Sequence, residues 1–170
     1  MVDSNTEDRL WRIFENVNKW LEYGERKNVV LLTFMGIQIT VLKLFNGTNN
    51  GFFTASIAVL IVCFLSTLYS FLPQTRIPNV FKYFSKNTTE PNESDNLVFF
   101  GHIKKYSQIR YIDALEKYLN MNIKGNKYFD DLCAQIVINS QIASRKFDTF
   151  KATVSLMILA QILLAISLGL

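Results

Sequence analysis

The residues best suited to hold a small ligand form a column on the last helix that the sequence predicts. The column offers hydrogen-bond donors, acceptors and a cation, from Asp131, Gln135, Asn139 and Lys146. Spacings of four, four and seven place these side chains on one helix face. Such a face suits a polar anion, with Lys146 on a phosphate and the amides on a base or sugar edge. A solvated face or an interhelical hydrogen-bond network gives the same pattern, and the pattern alone favours that interpretation.

A second candidate site is an aromatic segment that precedes this helix. The side chains of Phe99, Phe100 and His102 could stack on a nucleobase, and Gly101 would let a ligand approach the backbone. Alternatively, the two phenylalanines pack helices together, which is the commoner fate of adjacent phenylalanines.

Two glutamines lie in the middle of apolar segments, where a bare amide is costly. Gln38 and Gln161 could line a pore, but hydrogen bonds between helices or subunits are the commoner use of such residues. They are therefore membrane-interface or pore candidates.

An enzyme needs several catalytic groups in one place, and the sequence contains no motif for one. Walker and GxGxxG loops, GxSxG and HExxH are all absent. Asp130 and Asp131 are adjacent, so they point to different faces of a helix. The one histidine, His102, and the cysteines Cys63 and Cys133 show no metal-ligand spacing. We predict a protein that is not an enzyme and that has no metal and no cofactor.

The apolar segments between these residues are long enough to cross a membrane. Of the 170 residues, 49% are hydrophobic, and they are concentrated in blocks at 29–45, 52–72 and 152–170. The last block carries no charge, and as a helix it spans about 28 Å, close to the ~30 Å hydrocarbon core of a bilayer. The mixed-charge stretch before the first block argues against a signal peptide. We predict an all-α membrane protein with three transmembrane helices.

The aqueous helices are predicted to continue into the first and last spans. Ser4 and Glu7 form a capping-box pattern that starts an amphipathic helix. Residues 128–170 contain no proline and read as one long helix, which Asn126 can cap. We divide the chain into a cytoplasmic amphipathic helix at 1–28, a transmembrane hairpin at 29–72, a cytoplasmic helical region at 73–151 with a polar loop at 86–96, and the third transmembrane helix at 152–170.

Shorter features connect these parts. The sequence predicts a tight turn at 47–51, a surface helix starting near Pro78, and a polar loop at 86–96 that has nothing to bury. A further helix carries apolar residues at helical spacing, namely Ile109, Ile112, Leu115 and Leu119. It is predicted to end near Gly125, because glycine suits the left-handed position after a helix.

The distribution of positive charge predicts the orientation. All of the 18 Lys and Arg residues except Lys43 lie before the first span or between the second and third spans. Loops rich in Lys and Arg tend to stay in the cytoplasm, so the N-terminus is predicted in the cytoplasm and the C-terminus outside the cell membrane.

Three segments together resemble a known family, the small transmembrane effectors of Pycsar, the bacterial antiphage system built on a pyrimidine cyclase. The matching segments are Trp20-Leu21-Glu22-Tyr23-Gly24-Glu25-Arg26-Lys27, then Phe99-Phe100-Gly101-His102-Ile103, then Asp131-Leu132 with Gln135 and Asn139-Ser140 with Ile142, Ala143 and Lys146. Their order and spacing cover nearly the whole chain. The family pattern has an aspartate where this chain has Glu25, a chemically mild departure.

The resemblance implies an effector that senses cCMP or cUMP made by a partner cyclase during phage infection. It also implies that the effector impairs the bacterial inner membrane, so that the cell dies or stops growing. It adds Glu25 and Lys27 to the expected ligand-binding residues. The expected partners are the cyclic pyrimidine mononucleotide and membrane lipid, with no nucleic acid polymer.

A different class of function fits the same composition: a structural or transport subunit whose cytoplasmic helices bind a protein partner. For the effector, a shift from 1:99 to 99:1 needs about 5.5 kcal/mol of differential ligand binding per functional unit. One small ligand would struggle to supply that, so we expect a homo-oligomer in which several sites act together.

Overall fold

The computed structural model describes residues 4–42, 50–72 and 90–169. Within these residues every regular element is a helix, as predicted. The helices are α1 (Ser4–Leu42), α2 (Gly51–Phe71), α3 (Phe100–Ile103), α4 (Gln108–Leu119) and α5 (Lys127–Leu168).

Neither of the two longest described helices, α1 and α5, contains a proline, the residue that would break a helix interior. The 39 residues of α1 continue from the amphipathic segment into the first apolar block, as predicted. The 42 residues of α5 confirm the single helix that was predicted for the C-terminal part. Asn126 caps α5 as expected, since its Oδ1 accepts from the Tyr128 N–H at 3.0 Å.

The chain divides into two compact units, and α1 and α5 contribute residues to both. Unit 1 comprises Met1–Tyr23 and Gln74–Arg145. Unit 2 comprises Gly24–Pro73 and Lys146–Leu170.

Unit 1 has an apolar core to which α1, α3, α4, α5 and the connection between α4 and α5 contribute. Its largest fully buried side chains are Leu10, Ile103, Tyr111, Leu115, Ile123, Phe129 and Ile136. The hydroxyl of Tyr111 donates to the Leu97 carbonyl at 2.8 Å, so the buried phenol keeps a hydrogen bond. Burial raises the pKa of Tyr111 well above its ordinary value, so the phenol stays neutral.

Two details of α4 differ from the prediction. Ile109 is 73% exposed, because the larger Tyr111 occupies the core while Ile112 and Leu115 are buried as expected. The helix ends at Leu119 rather than near Gly125, because Asn120 already adopts the left-handed conformation at φ 51°. Asparagine tolerates this region better than most residues with a side chain.

The segment before α3 buries a carboxylate, contrary to the expectation that the polar loop has nothing to bury. The Asp95 side chain is 3% exposed and pairs with Lys105. It also accepts from the Asn92 N–H at 2.9 Å. Short polar residues can satisfy one another locally, and a composition-based reading of the loop does not include such contacts.

Unit 2 buries small and polar side chains beside an apolar cluster of Leu31, Met35 and Cys63, and it exposes many apolar side chains. Helix α2 buries Ser56, Leu60, Cys63, Thr67 and Ser70. The Ser56 hydroxyl donates to the Ala160 carbonyl at 2.9 Å, and the Asn50 amide donates to the Ser167 carbonyl at 2.9 Å. Exposed apolar side chains include Val30, Phe34, Ile61, Val62, Leu65, Ile158 and Ile162. Small interfacial residues that hydrogen-bond between helices are typical of membrane bundles.

Two helices of the described part are long and apolar enough to cross a membrane. They are α2 and α5, judged by length and composition. The first predicted span, 29–45, is not among them. Of the three predicted spans, the second and third are therefore supported by length and composition. Helix α1 carries the first block as far as Leu42. Its end at 43–45, the turn residues 47–49, the helix near Pro78 and loop residues 86–89 lie outside the described residues.

Candidate functional site

Lys146, the predicted phosphate ligand, is engaged by other parts of unit 2. Its ammonium lies 3.2 Å from the Glu25 carboxylate and donates to the Ser70 carbonyl at 3.1 Å. The Lys146 side chain is 13% exposed. Asn28 donates to the Ser70 hydroxyl at 2.9 Å, so four polar residues form one connected cluster.

Helices α1 and α5 lie close together at Gly24, although a Cβ atom there would make only ordinary van der Waals contacts. A Cβ atom at Gly24 would lie 3.4 Å from the Cβ of Lys146. Lys27, another expected ligand residue, has its ammonium 5.2 Å from the ring centroids of both Phe147 and Phe150. The structure therefore gives Lys27 a cation–π role within unit 2.

The other residues of the predicted column belong to unit 1 and differ in environment. Asp131 is exposed and pairs with Lys127 one helical turn away. Gln135 is exposed, and its side chain makes no hydrogen bond among the described residues. Asn139 donates to the Asn18 Oδ1 on α1 at 2.8 Å. Asn139 therefore belongs to an interhelical hydrogen bond, one of the alternatives that the pattern left open.

The aromatic segment packs largely against itself and against α1. The Phe99 and Phe100 rings lie 4.8 Å apart, and Phe100 lies 5.4 Å from Trp20. The ring of Phe99 also lies 5.5 Å from that of His102. A Cβ at Gly101 would lie 2.5 Å from Phe99 Cε1, so glycine is needed for the Phe99 ring to cover the backbone.

Gln38 and Gln161 each carry a buried polar atom without a partner among the described residues. These atoms are Gln38 Oε1 and Gln161 Nε2. Both side chains lie within unit 2 and are only partly buried. An unmatched amide in an apolar bundle is costly, which keeps both residues as membrane-interface or pore candidates.

Sequence reasoning missed two adjoining cavities in unit 1. They lie beside α4 and the irregular segment before α3, with volumes of about 240 and 270 Å³. Both are lined by Asn92, Glu93, Tyr106 and Tyr118. The first also contains Arg110, Asp113 and Lys117, and the second Asp95 and Asn96. No periodic pattern marks these residues, since half of them come from an irregular segment.

Charges around the first cavity are mostly paired. Lys117 lies 3.0 Å from Glu93, and Lys124 lies 2.8 Å from Asp113. Hydrogen bonds from Lys117 and Tyr118 lower the pKa of Glu93, so this carboxyl is ionised at neutral pH. Arg110 lies at the cavity with no ion pair among the described residues.

The second cavity is lined by an ionised carboxylate, that of Asp95. Burial alone would raise the pKa of Asp95, but the Asn92 N–H and the Lys105 ammonium hold it below its ordinary value. Burial raises the pKa of Tyr106, and the neighbouring Asp95 raises it further. The Tyr106 hydroxyl therefore stays protonated, 3.3 Å from Asp95 Oδ2.

Neither metal chemistry nor thiol chemistry is apparent in the described residues. They contain no group of three or more His, Cys, Asp or Glu side chains that could hold a metal ion. Burial raises the pKa of the Cys133 thiol to about 12, which makes it a poor nucleophile.

Comparison with known proteins identifies the family. The family model described as Pycsar effector protein domain matches residues 9–170. The chain belongs to the Pycsar effector family. It is 31% identical over 150 residues to the Pycsar effector protein RsPycTM of a Rhizobium species, covering 82% of this chain and 81% of that protein. No solved structure matches the chain.

Membership of the Pycsar effector family makes the chain an antiphage defence effector, as the resemblance implied. The segments that carried the resemblance contact one another in the structure. Trp20 of the first segment packs on Phe100 of the second within unit 1. Glu25 of the first segment pairs with Lys146 of the third within unit 2. At these two residue pairs the resembling segments therefore make a packing contact and an ion pair.

Proposed function

We propose that this Pycsar effector senses a cyclic pyrimidine mononucleotide, cCMP or cUMP, with the helices of unit 1. The nucleotide comes from a partner pyrimidine cyclase during phage infection. The effector then impairs the bacterial inner membrane through unit 2, and the infected cell dies or stops growing.

The observation that carries the membrane part is the arrangement of side chains in unit 2. Apolar side chains such as Ile61 and Leu65 are exposed, at 51% and 58%, while Ser56 and Thr67 are buried. In water this arrangement would expose a large apolar surface, whereas in lipid it is favourable. It supports a membrane location for α2 and for the apolar end of α5.

The topology of this proposal has three spans, with the N-terminus in the cytoplasm and the C-terminus outside. Helix α1 supplies the first span beyond Asn28, where its apolar run begins. The charge distribution supports the orientation, because 17 of the 18 Lys and Arg residues fall on the proposed cytoplasmic side. Active alkaline phosphatase fused to the C-terminus supports this orientation, and an inactive fusion contradicts it.

Coupling between sensing and membrane damage is proposed to run through α1 and α5, which contribute residues to both units. A ligand shifts a conformational equilibrium only by its differential affinity for the two states. A homo-oligomer with several sites supplies the required free energy more readily than one protomer does.

The sequence-based ligand site around Lys146, Asn139, Gln135 and Asp131 stays a prediction. In the structure Lys146 and Asn139 already have protein partners, so a nucleotide there would compete with Glu25 and Asn18. Exchanging those contacts would reduce the net gain from binding.

Dye release from liposomes tests the proposed function. The purified full chain is reconstituted in vesicles loaded with a self-quenching dye, and cCMP, cUMP, cAMP or cGMP is added. We expect release with cCMP or cUMP and little with the purine nucleotides. Vesicles that stay sealed with all four nucleotides would contradict the proposal, provided that the protein is shown to be inserted.

A further inference from the structure

The two adjoining cavities of unit 1 offer a place for a ligand that the sequence pattern did not indicate. They share Asn92, Glu93, Tyr106 and Tyr118, so they lie side by side. Each is smaller than a typical ligand pocket of about 300–1,000 Å³, but a ligand that occupies both has a comparable volume available.

The charges that line the first cavity balance, with two carboxylates, Glu93 and Asp113, and two cations, Arg110 and Lys117. Glu93 is balanced by Lys117, and Asp113 is balanced by Lys124. Arg110 is exposed at this cavity, and its guanidinium makes no hydrogen bond or ion pair among the described residues. An unpaired guanidinium is suited to a phosphate oxygen, which it can bind through two parallel N–H groups.

The shared wall provides an aromatic surface. Tyr118 is 41% exposed, and the Lys117 ammonium lies 4.6 Å from its ring centroid. The other wall residue, Tyr106, is 5% exposed and held by hydrogen bonds to Asn92 and Asp95. A flat heterocycle that stacks on the exposed part of Tyr118 therefore shares the ring with the Lys117 ammonium and lies against the fixed Tyr106.

The second cavity provides amide donors. Asn96 Oδ1 accepts from the Val98 N–H at 2.9 Å, and Asn92 Oδ1 accepts from the Ser94 N–H at 3.4 Å. These bonds orient the amides and leave their Nδ2 groups as the donors for a ligand. A carbonyl oxygen on a heterocycle is the complementary acceptor.

We infer that these cavities bind a small anion with a single phosphodiester charge and a flat carbonyl-bearing ring, with the phosphate at Arg110 and the ring on Tyr118. This inference rests on the proposed function, under which the ligand is cCMP or cUMP. Both nucleotides carry one phosphodiester charge and a ring carbonyl. Under this inference the phosphate binds to Arg110 in unit 1 and not to Lys146 in unit 2.

The site also has a direct connection to α1. Asn16 on α1 donates to the Val98 carbonyl at 3.0 Å, and Val98 lines the second cavity. The Asn96 N–H donates to His102 Nδ1 at 2.7 Å, which joins the cavity to the aromatic segment. A ligand that repositions residues 92–98 would therefore act on α1, which continues into unit 2.

Titration calorimetry on the detergent-solubilised full chain tests the inference, with cCMP, cUMP, cAMP, cGMP and inorganic phosphate as probes. For the pyrimidine nucleotide that binds, Arg110→Gln should raise Kd about tenfold or more, the loss expected for one charge-assisted contact. Tyr118→Ser should raise Kd at least about fivefold, whereas Tyr118→Phe, which keeps the ring, should stay within about twofold. Arg12→Gln is the matched control, since Arg12 is a 76% exposed arginine on α1 outside the cavities.

The outcomes separate this inference from the proposed function. Binding by the unmutated chain with Kd unchanged in both Arg110→Gln and Tyr118→Ser would overturn the site and leave the proposed function standing. A tenfold increase in Kd for Lys146→Ala with no increase for Arg110→Gln would show that Lys146, and not Arg110, binds the phosphate. If inorganic phosphate binds as tightly as the nucleotide, the ring contributes nothing to binding, and the proposed ring contact with Tyr118 is overturned. Absence of binding by any cyclic nucleotide to the unmutated chain would overturn both.

Discussion

The ammonium of Lys146 lies 3.2 Å from the carboxylate of Glu25, and this pair joins α5 to α1 within unit 2. Lys146 is 13% exposed, whereas Glu25 is 50% exposed, so the cation is the partner that is largely removed from water. The Ser70 carbonyl supplies a second acceptor at 3.1 Å. A cation in this position is costly unless its partners remain in place.

The first prediction concerns the strength of this pair. Glu25→Gln and Lys146→Met should each lower the free energy of unfolding by about 1–2 kcal/mol. The first removes the negative charge beside a largely buried ammonium, and the second leaves the Glu25 carboxylate and the Ser70 carbonyl without their donor. The double variant should lose less than the sum, with a coupling of about 0.5–1 kcal/mol after allowing for the half-exposed carboxylate. Unfolding of the detergent-solubilised chain with increasing denaturant measures all four species.

The same cycle on Asp8 and Arg12 provides the control, since that pair lies one helical turn apart on α1 and is exposed on both sides. We expect a coupling of about 0.3–0.5 kcal/mol there. Strictly additive effects of the Glu25 and Lys146 variants would show that the observed contact does not stabilise unit 2.

The second prediction concerns Gly101. A Cβ at this position would lie 2.5 Å from Phe99 Cε1, so Gly101→Ala should displace the Phe99 ring and cost about 1–3 kcal/mol of stability. In a Phe99→Ala background the same substitution should cost much less, because the ring that it meets is gone. Thermal melting of the unmutated chain and the three variants by circular dichroism tests this, and an equal cost in both backgrounds would contradict the assigned contact.

The third prediction is a dependence of stability on pH. The pKa of Asp95 is lowered from 3.8, so the carboxylate stabilises the folded state at pH values above this ordinary value. That contribution should be lost as the pH falls from about 4 through the folded-state pKa, because the unfolded chain takes up the proton first. Melting temperatures of the unmutated chain and of Asp95→Asn between pH 3 and pH 6, roughly the range in which carboxyls titrate, measure the difference.

The gap in melting temperature between these two proteins should therefore be largest near pH 6 and should shrink toward pH 3, roughly over the carboxyl titration range. Asp113→Asn serves as the control, because Asp113 is a 52% exposed carboxylate whose partner Lys124 also has Glu116. A gap that is independent of pH would show that the Asp95 charge does not contribute.

The fourth prediction concerns thiol reactivity. Cys133 is fully buried and its pKa is about 12, so in a Cys63→Ala background it should resist alkylation at pH 8. Denaturant should release the thiol to react at the rate of an ordinary cysteine. Mass spectrometry after a timed iodoacetamide pulse measures both states, and rapid modification without denaturant would show that this part of α5 opens readily.

The sequence predicted the features of the fold that depend on local pattern. Proline-free runs specify α1 and α5, and the Asn126 cap is visible as a residue type at a helix start. The end of α4 was missed because Asn120 and Gly125 both suit the left-handed region, and both adopt a positive φ, at 51° and 84°. The sequence pattern did not show that the helix ends at the first of them.

The candidate site was less predictable because it depends on tertiary contacts. The column placed Lys146 and Asn139 on one helix face, but the sequence did not show that Glu25 and Asn18 already occupy them. The cavities were missed because their lining residues come from α4 and from an irregular segment. Hydrophobic periodicity identifies helices and strands, and an irregular segment shows no such periodicity. Of the hydrogen-bonded pair Asn28 and Ser70, only Ser70 had a signal, because it interrupts an apolar stretch, whereas Asn28 follows a charged one.

The last prediction decides whether the outer surface of unit 2 faces lipid. Ile61 lies at the centre of α2 and is 51% exposed, and its helix buries serine and threonine on the opposite side. An arginine at the centre of a transmembrane helix costs about 2.5–3.5 kcal/mol for insertion. On a surface that faces water, the same arginine would be neutral or would improve solubility. Ile61→Arg should therefore reduce the amount of protein in the membrane fraction and abolish nucleotide-triggered dye release.

Ile109→Arg is the matched control, because Ile109 is a 73% exposed isoleucine in unit 1, and it should change neither quantity. A folded Ile61→Arg protein that accumulates in the soluble fraction would contradict the membrane location of α2, because a lipid-facing helix that fails to insert would aggregate or be degraded instead.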